Sequence, residues 1–249
     1  MIKLNAMAGM LLFGLLLCCL APPQAQAYSR SSDPDTGEAL YQANRQVEVL
    51  AHQACSFELA TANCLPALWA GLDAWNNHPC ADFTFLTGGT TSDGSFGYNP
   101  DNMDANFNLL IFVRDGWRHD RGALAMTTTT YDANTGRIVD SDVEFNEQHF
   151  VFATDGDPLC YDLQSTMAHE AGHILGLAHS ASWDATMDPQ IDPGELEKRD
   201  LHSDDIEGLC AIYPPDSGCD CASASGGTIG LLFALGLLAF LGRWSLRGP

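Results

Sequence analysis

Apolar and polar positions recur in two rhythms along this chain, and the changes between them mark out its elements. From Pro66 to Asn76, Leu68, Trp69, Leu72 and Trp75 return at helical spacing. That spacing predicts an amphipathic helix with Pro66 in its first turn, where no backbone N–H is needed. Gly88 to Asn102 is rich in Gly, Ser, Thr, Asp and Asn and reads as a long loop. Three strand segments follow, Asn108 to Arg114, Ala123 to Tyr131 and Ile138 to Phe145, the last with Ile138, Asp140, Asp142 and Glu144 on one face. Helix, strands, helix, irregular stretch, helix is the order of an α+β domain with a small mixed sheet. Residues 28–44 are polar and aperiodic and are expected to form a flexible lead-in.

The two ends break this pattern. Residues 1–27 combine Lys3, an apolar run from Met10 to Leu20 and Ala25-Gln26-Ala27, the small-x-small pattern of a signal peptidase site, so the mature chain is expected to start at Tyr28. After a linker over 215–228 with Cys219 and Cys221, residues 229–249 hold an apolar run, Ile229 to Leu241, and then Arg243 and Arg247. That run is shorter than an ordinary spanning helix. The folded part is therefore one domain, taken as 45–214.

The chemistry lies in His169-Glu170-Ala171-Gly172-His173-Ile174-Leu175-Gly176-Leu177-Ala178-His179. His169 and His173 are four residues apart, so on a helix both imidazoles leave one face and can bind one zinc ion. Gly176 can take a left-handed conformation that ends the helix and lets His179 return as a third ligand. Three neutral ligands leave a fourth position for water, which is the pattern of a catalytic zinc site. Glu170, beside the first ligand, is placed to act as general base on that water. Five fixed positions at roughly 5% each would arise by chance in about one chain of this length in ten thousand.

This segment resembles the metzincin motif, an extended histidine signature followed by a methionine turn, here Ser182 to Pro189 with Met187 eight residues after His179. Within that group, Gly176-Leu177-Ala178-His179-Ser180 looks like the matrixins. The likeness extends over about residues 45–214, with Ala67 to Trp75 as the first helix, Ile138 to Asn146 as the strand lining the cleft and Asp204 to Leu209 in the last helix. It implies a zincin-like catalytic domain with a small twisted mixed sheet and three main helices, hydrolysing peptide bonds in extracellular proteins. Met187 would floor the metal site, and Pro189 to Ile191 would wall the specificity pocket. Asp188 departs from the tyrosine usual in matrixins, and no cysteine sits in a Pro-Arg-Cys-Gly setting, so latency by that route is not expected. Matrixins bind calcium near turns and strands such as those of Asp132, Asn134, Asp140, Asp142 and Glu144, although a solvated acidic face accounts for the same residues. The tail resembles the C-terminal sorting tails of myxobacterial surface proteins, which implies retention at a bacterial cell surface or outer membrane; a plain membrane anchor is the other reading.

Export makes the cysteines disulfide candidates. Cys55, Cys64, Cys80, Cys160 and Cys210 fall in the domain, and the expected pairs are Cys160 with Cys210 and Cys55 with Cys64. The net charge of −21 argues against nucleic acid or anionic membrane partners, leaving membrane contact to the tail alone, a monomeric domain, and protein or peptide substrates. His52, His78, His119, His149 and His202 are scattered and read as surface or supporting residues. Two alternatives remain: a metzincin protease outside the matrixins, and an inactive zinc-binding adhesion module that holds peptides. The second has no need of Glu170.

Overall fold

Alternation along Arg137–Asn146 builds the centre of the fold. The computed structural model describes residues 27–102 and 106–215. In chain order it contains β1 (Ser29–Arg30), β2 (Tyr41–Gln42), β3 (Gln46–His52), α1 (Thr61–Asp73), β4 (Thr84–Thr91), β5 (Asn108–Val113), β6 (Ala125–Asp132), β7 (Arg137–Asn146), β8 (Phe152–Ala153), β9 (Tyr161–Asp162), α2 (Leu163–Leu175), β10 (Leu177–Ala178) and α3 (Ser203–Ile212), with a 3-10 turn at Glu197–Arg199. One sheet runs in the order β2, β7, β5, β3, β4, all parallel, and β6 joins the other edge of β7 antiparallel. This is the mixed sheet with three helices expected of a metzincin catalytic domain.

Period two sends Val143 and Phe145 into the core, where they join Val49, Leu110 and Phe112 from the sheet and Leu68, Leu72, Met167, Ala171 and Ile174 from α1 and α2. The opposite face of β7 carries Asp140, Asp142 and Glu144, all buried. Trp75, just past α1, is fully buried and donates its indole N–H to the Ala168 carbonyl of α2 at 2.8 Å.

The structure departs from the sequence expectations in several places. The first helix starts at Thr61, so Pro66 lies one turn inside it. Two long strands of the main sheet were not anticipated: β3, where buried Val47, Val49 and Ala51 alternate with exposed Gln46 and Glu48, and β4, an edge strand whose Gly88-Gly89 gives it the composition of a turn; the two-residue strands β8, β9 and β10 were not anticipated either. Residues 28–44 are not a loose lead-in, since β1 pairs with β10 and β2 with β7. The strand along the cleft is β6 rather than β7. Cys55 pairs with Cys64 as expected, but Cys210 pairs with Cys80 and leaves Cys160 free. Cys160 sits on the loop before β9 and Cys80 follows α1, so Cys80 is the cysteine that folding brings to α3. The segment expected to be a signal peptide, before Ala27, and the expected linker and apolar tail beyond Pro215 lie outside the described residues.

Candidate metal centre and cleft

Helix α2 begins where the Asp162 carboxylate accepts the Ser165 N–H at 2.8 Å, and it ends at Gly176, whose φ of 96° is left-handed. A left-handed backbone costs a side-chain-bearing residue roughly 1–2 kcal/mol. In addition, a Cβ at Gly176 would lie 2.4 Å from the Leu40 carbonyl oxygen. The turn so formed brings His179 back to His169 and His173, with ring centroids 5.2 and 5.0 Å away. Among the described residues these three form the one cluster able to ligate a metal, with all donor atoms within 4.8 Å of one another.

The hydrogen bonds behind the rings define what they can hold. His169 Nδ1 faces the Thr186 carbonyl at 2.8 Å and His173 Nδ1 faces that of Leu177 at 2.9 Å. Carbonyls only accept, so each Nδ1 carries the proton and each Nε2 presents a lone pair. The two Nε2 atoms then face each other at 3.2 Å with no proton between them. Two nitrogen ligands about 2.0–2.1 Å from a tetrahedral zinc are about 3.3 Å apart, so the spacing suits that ion. Burial lowers the pKa of all three histidines, and the neighbouring imidazoles lower those of His169 and His179 further, which keeps the rings neutral as ligands.

Below the rings, Met187 is fully buried and packs against Gly172, where a Cβ would lie 2.2 Å from its Sδ. Glycine at 172 is thus the gap that admits the methionine floor. The turn is fastened from α3: Asp205 accepts the N–H groups of Thr186 at 2.8 Å and Met187 at 3.0 Å. Asp204 accepts the Ser180 hydroxyl at 2.6 Å and the backbone N–H of Ala27 and of Tyr28, at 3.1 and 2.7 Å.

Glu170 is 5% exposed and faces a cleft of about 720 Å3 lined also by His169, His173, His179, Asp188 and Pro189. Burial pushes its carboxyl up to about 7, against the opposing effect of the Thr127 hydroxyl, which donates to Oε2 at 2.6 Å. Thr127 belongs to β6 and fixes one carboxylate oxygen while Oε1 remains for chemistry. Sequence reasoning missed it because nothing sets it apart within Thr127 to Thr130. Asp205 and Lys198 were missed as well.

The acidic residues singled out for calcium are not gathered into one cluster. Asp132 caps its own turn, accepting the Asn134 N–H at 2.9 Å. Asp142 takes backbone N–H groups from Gly97 and Leu109 at 2.5 and 2.9 Å, and Glu144 binds His119 at 2.6 Å and Arg118 at 3.0 Å. Asp140 keeps a buried Oδ2 without a hydrogen-bond partner among the described residues. Of the other histidines, His202 caps α3 through Nδ1.

The matrixin family model matches residues 113–214. The metalloendoproteinase 2-MMP of Arabidopsis thaliana is 29% identical over 145 residues, 56% of this chain and 34% of its own length. The 1-MMP of the same plant is 35% identical over 85 residues, 34% of this chain and 20% of its own. Neutrophil collagenase of Homo sapiens is 37% identical over 110 residues, 44% of this chain and 23% of its own. The chain thus spans about a third or less of the length of these relatives, and the region matched by the family model contains His169, Glu170, His173, His179 and Met187.

Proposed function

We propose, from the premise that this chain is a matrixin-like metzincin, that it is a zinc-dependent endopeptidase acting on extracellular proteins. The observation that carries the reading is the pair of unprotonated Nε2 atoms 3.2 Å apart beside the buried carboxylate of Glu170. His169, His173 and His179 would hold the ion, which supplies a Lewis acid for the scissile carbonyl and makes water a stronger acid. Glu170, with Oε2 tied to Thr127, takes the proton of the attacking water on Oε1 and delivers it to the departing amine. Strand β6 pairs on one side with β7 and lines the cleft with Leu124 to Thr127, so its outer edge offers backbone groups to an extended peptide. A complete base favours the enzyme over an adhesion module.

Export belongs to the same proposal, with residues 1–27 as signal peptide and residues 229–249 as the tail that holds the protein at the cell surface. Two disulfides in the domain suit an oxidising exterior. Calcium is part of the reading only at the β7 acids, where Asp140 has an oxygen to offer. The deciding experiment is cleavage of casein or gelatin by the purified chain: activity should stop with a zinc chelator and return with added zinc. Cleavage indifferent to the chelator would remove the metal from the mechanism.

A further inference from the structure

Lys198 lines the cleft but has no part in the chemistry above. Its side chain is 5% exposed, and the nearest carboxylate oxygen, Asp188 Oδ2, is 4.0 Å away at the outer limit of an ion pair. Its other contacts are two neutral dipoles, the carbonyl oxygens of Asp188 at 3.4 Å and of Gln190. A buried ammonium held this way recovers little of what it lost on leaving water. The segment that carries it is firmly placed. Thr186, whose carbonyl orients His169, donates its hydroxyl to the Lys198 carbonyl at 3.4 Å, and Arg199 grips both oxygens of Asp162, the N-cap of α2, at 2.5 and 2.9 Å. The ammonium is therefore fixed relative to the helix that supplies His169 and Glu170.

We propose that Lys198 makes its part of the cleft a subsite for an acidic side chain, so that the preferred substrates are peptides with Glu or Asp beside the cleaved bond. This rests on the peptidase reading. A glutamate offers methylenes to the apolar lining, Ile191 and the edge-on rings of Phe150 and Tyr161, 5.3 Å apart, while its carboxylate completes the shell of the ammonium. Asp188 competes weakly, because its Oδ2 lies 4.0 Å from the ammonium, beyond hydrogen-bond distance. The opposite occupant, a basic side chain drawn to Asp188, is what the test must exclude.

The test uses the zinc-loaded full chain and peptides that differ only in the residue on either side of the cut, as Glu, Gln, Leu or Lys. For one of the two positions, kcat/KM for Glu should exceed that for Leu by about tenfold or more. Lys198→Met should invert the ratio, while Lys198→Arg keeps it. Because a ratio is read, loss of folded protein in a variant cancels. The same peptides are titrated onto zinc-loaded Glu170→Gln, where a tighter Kd for the Glu peptide tests recognition without turnover. Cleavage of Leu peptides with equal or better efficiency than Glu peptides at both positions, a preference for Lys, or a ratio that Lys198→Met leaves in place overturns the proposal while the peptidase reading stands. If no peptide is cut, the peptidase reading fails and the Kd values alone decide on Lys198.

Discussion

Two sets of polar side chains are buried in this domain, and they are finished to different degrees. At the end of α2, the groups behind the site are held: Nδ1 of His169 and of His173 by carbonyls, Glu170 Oε2 by Thr127, and the methionine turn by Asp205. On the outer face of β7, Asp142 and Glu144 are satisfied, but Asp140 leaves a buried oxygen bare beside the charge of Asp142. Burial raises both Glu170 and Asp140 to about 7. Only at Glu170 does the raised acid face a cleft in which a proton can be handed on. The contrast teaches that a displaced pKa marks chemistry when geometry gives the proton somewhere to go, and otherwise marks a cost to stability.

The largest test of that contrast is Glu170→Gln. Turnover should fall by about a thousandfold, with zinc content by mass spectrometry unchanged, since the carboxylate is not a ligand. Near-normal kcat would falsify the role of base. Next is Thr127→Val, which keeps shape and removes the donor. The loss of one bond to a charged group predicts about a tenfold fall in kcat with KM nearly constant, and Thr127→Ser should restore most of it. Equal losses in both variants would point to packing instead. The smallest effect is expected at Asp140. Its carboxyl ionises near 7 in the folded chain and near 3.8 in the unfolded one, so folding takes up a proton between those values and stability falls as pH rises from about 4 to about 7. Asp140→Asn should remove that slope and raise Tm at pH 8 by a few degrees, about 2–5 °C. Calcium that raises the Tm of the unsubstituted chain and not that of Asp140→Asn would give the bare oxygen an occupant.

The site was more legible than the fold around it, and particular residues show why. Ligation and helix ending need specific residue types at fixed spacing, so His169, His173, Gly176 and His179 could be read directly. Thr127 could not, because its contact with Glu170 depends on the register of β6 against β7, where Thr127 stands opposite Val143. The strands of the middle were visible through their alternation, whereas β4 was hidden by turn-like glycines at an edge where Phe85 alone is buried in the core. Cys210 was assigned to the wrong partner because sequence order does not say that the end of α1 and α3 meet. Residues 28–44 looked loose because polar residues that bind neighbouring backbone have no period.

That last segment sets the order in which the molecule can be assembled. Ser31 N–H binds the Gly176 carbonyl at 2.9 Å, its hydroxyl binds that of Leu177 at 3.0 Å, and Gln42 Nε2 binds that of Ile174 at 3.0 Å. These contacts close the turn that presents His179, and Ser31 and Leu177 are 146 residues apart. Asp204 reaches Tyr28 across 176 residues. Contacts of such long sequence separation are slow to form, because much of the chain must be ordered before they close. The third histidine is therefore held from both ends of the domain, so a metal-ready site requires the first strip and the last helix to be in place together.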